Sequence, residues 1–375
     1  MILTNCAACA APLGFALGKK CSRCSTRYCG PACQTQHWKE GGHDKLCKRI
    51  KRAGGAEQYH AGNKYAEAVA VAADACTEDT KGQTCYICTQ AVHWKPKEGL
   101  VRGCSCRGTA GFAHVSCLAE QAKILFEEAE YNNLGFAKWE RWHTCGLCKQ
   151  QYHGRVLCAL GWASWETYVG RPETDQIRGM AMNMLGLGLT AAIHHADALS
   201  VREAHFSTMR RVGASEQTLL AAQGNLATTL AMLGRAEPAL DMRRDVYSAT
   251  LRLTGEEHIR TLSAAGNYAI SLVCRDCFKE AKSLMRKTMP VAQRVLGESD
   301  ELTLKLRLNY ALALYRDDSA KLDDLREAEN TIADSARTAR RVLSGAHPIL
   351  GGMDIALRES RAALSVRQAS SRQST

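Results

Sequence analysis

From residue 156 to about 355, alanine, leucine, arginine and glutamate recur at helical spacing, with few prolines to interrupt them. The pattern has a fixed period. Asn183-Met184-Leu185, Asn225-Leu226-Ala227, Asn267-Tyr268-Ala269 and Asn309-Tyr310-Ala311 each lie 42 residues apart. Gly213, Gly255 and Gly297 keep the same interval, each behind a basic or apolar helix end, so each predicts a helix stop. Gly345 arrives six residues late, after an insertion around residues 316–324. The period predicts two helices and two turns per unit, stacked into a right-handed solenoid.

Upstream of residue 156 the periodic texture gives way to cysteine pairs. The first set reads Cys6-x-x-Cys9, Cys21-x-x-Cys24, Cys29-x-x-x-Cys33 and His43-x-x-x-Cys47, eight ligand candidates in 42 residues. A pair two or three residues apart can wrap one metal from a single tight turn, and eight such ligands suffice for two tetrahedral zinc sites. The run Tyr28-Cys29-Gly30-Pro31-Ala32-Cys33-Gln34-Thr35-Gln36-His37-Trp38, followed by His43 and Cys47, resembles the MYND zinc finger. The resemblance implies interleaved pairs. Cys6, Cys9, Cys29 and Cys33 would hold one zinc, and Cys21, Cys24, His43 and Cys47 the other. It also makes His37 a helix residue beside Trp38 rather than a ligand, and short proline-containing peptides the partners. A finger this small cannot fold on core burial alone, so metal must supply much of its folding energy.

A second set of eight follows: Cys85-x-x-Cys88, Cys104-x-Cys106, His114-x-x-Cys117 and Cys145-x-x-Cys148. Its order, four cysteines, a histidine and three cysteines, is shared by the PHD and RING-CH fingers. One residue inside the second pair and seven before His114 resemble RING-CH. The runs Gly103-Cys104-Ser105-Cys106-Arg107-Gly108 and His114-Val115-Ser116-Cys117-Leu118 agree. That resemblance implies one zinc on Cys85, Cys88, His114 and Cys117, and another on Cys104, Cys106, Cys145 and Cys148. Four protein ligands close each site, so all four zinc ions would be structural and none hydrolytic. It implies further that Ile87 and Leu147 form a docking groove for a ubiquitin-conjugating enzyme, with Lys149 as a cation beside ubiquitin. The tryptophan that such fingers often carry after Cys117 is missing, which makes Trp139 or Trp142 its expected substitute.

The repeats resemble the 42-residue tetratricopeptide repeats of kinesin light chain, best at Asn225-Leu226-Ala227 with Leu233-Gly234-Arg235 and at Asn267-Tyr268-Ala269 with Phe278-Lys279-Glu280-Ala281. By resemblance Asn183, Asn225, Asn267 and Asn309 line a concave groove and bond a peptide backbone, a task suited to an amide that donates and accepts at once. Cys274-x-x-Cys277 and His194-His195 fall at helix corners without partner ligands and read as decoys, and Cys76 and Cys158 as packing thiols.

Composition adds the compartment and the charge. The chain has 375 residues, 18 cysteines, a formal charge of +11 and 46% hydrophobic residues. Clustered cysteines without a recognisable signal peptide point to zinc in a reducing, soluble compartment, cytoplasm or nucleus, rather than to disulfides. No apolar run is long enough for a bilayer, so no membrane partner is expected. Residues 1–52 carry +8, residues 53–80 carry −4 and residues 81–155 carry +4. A basic first module could touch nucleic acid or acidic peptides, yet no aromatic–basic interleaving accompanies it, and nucleic acid is not an expected partner.

The sequence thus predicts a mainly α chain: two small cross-brace zinc fingers followed by an α-solenoid of tetratricopeptide-type helix pairs. The expected boundaries are 1–52 for the MYND-type finger, 53–80 for a helical linker, 81–155 for the RING-CH-type finger, 156–355 for the solenoid and 356–375 for a tail, frayed from Arg361. The leading functional expectation is a RING-type ubiquitin-protein ligase that recruits peptide segments of substrates or adaptors without carrying ubiquitin itself. Its alternatives are a non-catalytic interaction scaffold and a MYND-type transcriptional or chromatin adaptor.

Overall fold

The computed structural model describes residues 5–11, 13, 18–343, 345 and 347–373. Among these residues the regular structure is fourteen α-helices, one short 3-10 helix and one two-stranded ribbon. The chain divides into two compact units, residues 1–214 and 215–375, and the division falls inside the expected solenoid.

The first unit opens on strands β1 (Lys19–Lys20) and β2 (Arg27–Tyr28), paired antiparallel, then α1 (Pro31–Lys39) and α2 (His43–Arg52). Pro31 sits in the first turn of α1, where a missing N–H costs nothing. Helix α3 (Ala56–Ala75) occupies the segment expected as a helical linker, and it is also packed. Ala61, Val69 and Ala72 are buried in the same core as α5 (Gly154–Tyr168). Gln58 Nε2 donates to the Glu166 carbonyl of α5 at 2.8 Å, and Glu57 pairs with Arg178 of α6 (Gln176–Ala191) at 2.9 Å. Small side chains on one face, Ala61, Ala68 and Ala72, let α3 lie close along α5.

Between α3 and α5 the chain makes the second finger, with α4 (Val115–Tyr131) and the 3-10 helix Trp139–Trp142. One core runs from Ala61 and Val69 through Leu100, Phe112 and Trp142 to Val156 and Leu185, and on to Ala204 of α7 (His195–Arg211). The finger is therefore an insertion between two helices that pack on each other. Helices α5 and α6 approach most closely at glycines. A Cβ on Gly188 would stand 2.7 Å from the Leu157 carbonyl oxygen and 2.8 Å from the Cys158 Cα.

The second unit holds α8 (Glu216–Met232), α9 (Ala236–Thr254), α10 (Ile259–Cys274), α11 (Phe278–Leu296), α12 (Glu301–Tyr315), α13 (Leu322–Val342) and α14 (Pro348–Gln373). Each packs on the next, and α8, α10, α12 and α14 also meet one another in a single layer. Asp300 caps α12 by accepting from the Leu302 N–H at 2.8 Å. Gly255 (φ +78°) and Gly297 (φ +89°) end α9 and α11 in the left-handed region, the stops that the period predicts. Gly345 is not such a stop, because α13 already ends at Val342 with Leu343 as its cap. The late arrival of the last repeat is absorbed by a bonded loop, in which Asp317 pairs with Lys282 at 2.7 Å and accepts from Ser319. The segment set aside as a tail begins inside α14, which runs to Gln373; Ala356 and Ser360 are buried and the Tyr315 hydroxyl donates to Glu359 at 2.6 Å.

Gly188→Ala tests the α5–α6 approach. Alanine would favour the helix by up to about 1 kcal/mol, but the backbone contact should cost about 1–3 kcal/mol, so overpacking wins. We expect a melting temperature lower by several degrees, with increased proteolysis confined to residues 1–214. An unchanged or higher melting temperature would refute the close approach.

Candidate metal centres

Four local turns build the sites, and they are the same turn. In Cys6–Cys9, Cys21–Cys24, Cys85–Cys88 and Cys145–Cys148, the residue after the second cysteine lies in the left-handed region: Ala10 (φ 56°), Ser25 (62°), Thr89 (62°) and Lys149 (60°). The N–H of each donates back to the carbonyl of the first cysteine at 2.8–3.0 Å. The first cysteine N–H donates to the carbonyl one residue further on, at 2.8–3.0 Å, from Cys6 to Ala11, Cys21 to Thr26, Cys85 to Gln90 and Cys145 to Gln150. This knuckle turns both thiols toward one point.

The knuckles meet their partners as two interleaved pairs per finger. Cys6, Cys9, Cys29 and Cys33 form one cluster, and Cys21, Cys24, His43 and Cys47 another. In the second finger Cys85, Cys88, His114 and Cys117 come together, as do Cys104, Cys106, Cys145 and Cys148. The ligand atoms within each cluster lie within 4.8 Å of one another. Zinc with about 2.3 Å bonds to sulfur demands tetrahedral edges of about 3.8 Å. Observed edges are 3.7 Å for Cys9–Cys29, 3.9 Å for Cys21–Cys47 and 3.8 Å for Cys106–Cys145. Edges to histidine are 3.4 Å from Cys24 Sγ to His43 Nε2, 3.3 Å from Cys88 Sγ to His114 Nδ1 and 3.7 Å from Cys117 Sγ to His114 Nδ1, and the Cys29–Cys33 edge is 3.3 Å. The thiolate and imidazole donors therefore fit zinc, and in each cluster four donors close the coordination sphere. His37 lies in none of them; its Nδ1 meets the buried Tyr28 hydroxyl at 3.0 Å.

The electrostatics single out one thiol in each cluster for ready loss of its proton, while burial and neighbouring sulfurs raise others, among them Cys33, Cys47, Cys106 and Cys117. Burial raises the pKa of Cys6, Cys21 and Cys85, but knuckle N–H groups donate to their sulfurs and bring all three below the ordinary thiol value, Cys6 to about 6. Cys145 is held down to about 4, chiefly by its contact with Cys104, and the same contact together with burial pushes Cys104 up. The first cysteine of every knuckle is thus the acidic one.

Ile87 and Leu147 occupy the same place in two knuckles. Each backbone N–H donates to the first cysteine sulfur, Cys85 or Cys145, at 3.4 Å. Leu147 is 50% exposed, Ile87 is half-buried and Lys149 is exposed. Trp139 and Trp142 do not reach a surface groove, contrary to expectation. Both are buried in an aromatic cluster with Phe126 and Tyr168, with ring centroids 5.0 Å apart for Phe126–Trp139 and 5.7 Å for Trp142–Tyr168. Their role is to seat α4 and the 3-10 helix on α5. A residue missed in the sequence is Glu98, whose Oε1 accepts from both the N–H and the hydroxyl of Ser116 at 2.8 Å, fixing the turn that carries His114 and Cys117. No spacing rule links positions so far apart, so no signal announced it.

The four asparagines take different roles. Asn183 on α6 is bound to Arg202 of α7, through its side-chain oxygen and through its carbonyl at 3.1 Å. Asn309 donates to the Gly266 carbonyl of α10 at 2.9 Å, a bond between successive helix pairs. Asn225 and Asn267 instead line an open cavity of about 240 Å³ between α8 and α10, floored by Val246 and Thr250 of α9. Cys274 and Cys277 are exposed at the corner between α10 and α11, outside every metal cluster.

Comparison with known proteins adds one family. Residues 6–47 match the family model of the MYND finger. No curated protein matches the chain. Among solved structures, BtubC from P. vanneervenii is similar at 13% identity and a TM-score of 0.40, over 68% of this chain and 84% of that one. A kinesin-light-chain structure with nearly identical tetratricopeptide-like repeats, from Podosopora anserina, is similar at 18% identity and a TM-score of 0.40, over 60% of this chain and 98% of that one. Among the described residues no helix is long and apolar enough to cross a membrane. The chain thus carries a segment, residues 6–47, that matches the MYND finger, four cysteine and histidine clusters whose donors fit zinc, and a run of stacked helix pairs after them.

Proposed function

We propose that the protein is a zinc-stabilised interaction scaffold whose second finger, of RING-CH type, docks a ubiquitin-conjugating enzyme while the repeats hold a substrate peptide. It would work in the cytoplasm or nucleus. The observation that carries this reading is the pairing of closed, interleaved ligand clusters with Ile87 and Leu147 on equivalent knuckle positions. A site with four protein ligands offers no coordination position to a substrate, so its chemistry is to hold shape. On such a finger only the apolar side chains between the ligands are left to recognise a partner. Zinc, where bound, supplies folding energy and nothing to a reaction. No cysteine of that finger remains to carry ubiquitin, so transfer would pass directly from the conjugating enzyme to the substrate.

A scaffold without ligase activity is the second reading. It is favoured by the burial of Trp139 and Trp142, which leaves the docking surface without the aromatic residue that the resemblance led one to expect. In either case the peptide would lie against Asn225 and Asn267.

Three measurements test these readings. Native mass spectrometry should find four zinc ions per chain, and Cys145→Ser should lower the count while residues 215–373 keep their helix content. Two or fewer tightly held ions would remove one finger from the assignment. Ile87→Ala should abolish ubiquitin-chain formation with unchanged zinc content, through loss of an apolar contact worth about 1–3 kcal/mol. Wild-type protein inactive with every conjugating enzyme would leave the scaffold. For the groove, Asn267→Ala should weaken peptide binding roughly ten-fold, about 1.4 kcal/mol, at constant melting temperature. Asn309→Ala should do the opposite, losing about 1 kcal/mol of stability with its bond to Gly266. Identical behaviour of the two variants would contradict the division of roles.

A further inference from the structure

Four of the ten lysines and arginines in residues 1–52 share one helical face. Helix α2 turns His43, Cys47 and Ile50 inward, and all three are buried. Lys45, Lys48, Arg49 and Arg52, at i, i+3, i+4 and i+7, therefore share the opposite side, and all four are exposed. None of the four takes part in an ion pair among the described residues. Four exposed arginines elsewhere do stand against carboxylates, Arg252 with Glu216, Arg275 with Glu237, Arg294 with Glu257 and Arg361 with Glu329, each at 2.8 Å.

Folding does not require the stripe. The helix dipole favours cations in the last turn, which accounts for Arg49 and Arg52 but not for Lys45 and Lys48. Lys45–Arg49 and Lys48–Arg52 are like-charged i, i+4 pairs, which oppose helix formation. Solubility needs charge but not alignment.

We propose that this face docks on the phosphate backbone of a nucleic-acid duplex. The apolar side of α2 is consumed by zinc ligands and core, so a partner meets aligned cations with no pocket between them. Lys45 to Arg52 spans about 10 Å of helix, over which a duplex presents about six phosphates. An acidic peptide of lower and irregular charge density would need an apolar anchor that this face does not offer.

The test is binding of the full-length, zinc-loaded chain to a fluorescently labelled DNA duplex of about 25 base pairs, measured by anisotropy across a range of salt. Lys45→Gln, Lys48→Gln, Arg49→Gln and Arg52→Gln combined should reduce the slope of log affinity against log salt by about three to four. Arg252→Gln, Arg275→Gln, Arg294→Gln and Arg361→Gln combined change the net charge equally and should leave the slope intact. Should the first variant lose zinc, the half-variants Lys45→Gln/Arg49→Gln and Lys48→Gln/Arg52→Gln should each lose about half that slope. The proposal is overturned by absence of duplex binding at low salt, by equal losses in the two quadruple variants, or by polyglutamate displacing the duplex charge for charge.

Discussion

Everything on the amino-terminal side depends on thiolates being drawn to a shared cation. The buried core of the MYND finger consists of Cys6, Leu13, Cys21, Cys24, Tyr28, Cys47, Ile50 and Ala56. Half of these are ligand sulfurs, so the metal does not decorate a core that exists without it. Two strands of two residues and two short helices bury too little apolar surface to offset the entropy of ordering them. The knuckle hydrogen bonds explain how the ligands come to share a point, because each fixes two sulfurs before any long-range contact forms. Long-range closure is then a matter of joining four preformed corners to four partners.

The second finger meets the same problem with different means. Cys85, Cys104, Cys117 and Cys145 are buried within a core that also holds Phe126, Trp142, Trp162 and Leu185. Its metals and its apolar packing support one another, and the finger is mounted on α3 and α5 rather than hung from a linker. Mounting has a mechanical consequence. Ile87 and Leu147 are fixed by sulfur-directed backbone bonds at their knuckles, and α4 is fixed by the aromatic cluster against α5. A partner docking on this finger would therefore meet a rigid surface, without an ordering cost at each contact.

Much of this was legible in the sequence, and what was not has physical reasons. All sixteen expected ligands fall into the expected clusters because ligand spacing is local and its chemistry is narrow. The period placed the helix pairs, and Gly255 and Gly297 end their helices because few other residues accept that backbone. Helix α3 was legible as a helix, but its packing on α5 was not, because much of its contact face is alanine, which signals neither core nor surface. Trp139 and Trp142 were misassigned because a tryptophan announces burial or docking equally well, and only the position of Tyr168 decides. The asparagines share one register, yet their fates depend on neighbours: Asn183 accepts from Arg202 and Asn309 donates to the Gly266 carbonyl, while Asn225 and Asn267 line the cavity between α8 and α10. Charge totals could not reveal alignment either, since the α2 stripe exists only once His43, Cys47 and Ile50 have chosen which side faces inward.

Cys274 and Cys277 show what a spacing rule leaves out. They have the same two-residue interval as the four knuckles and lie in a turn, yet their backbone is different. In each knuckle the left-handed residue follows the second cysteine and closes back on the first. At this corner the left-handed residue is Asp276 (φ 58°), before the second cysteine, and the Cys277 N–H closes on the Leu272 carbonyl at 2.9 Å. That is the ending of α10, dictated by the helix before it and not by a ligand. Cys277 is then the N-cap residue before α11. The distinction between a metal-binding turn and a helix corner therefore resides in which carbonyl the turn closes upon, and the flanking hydrophobic period of α10 and α11 is the part of the sequence that encodes it.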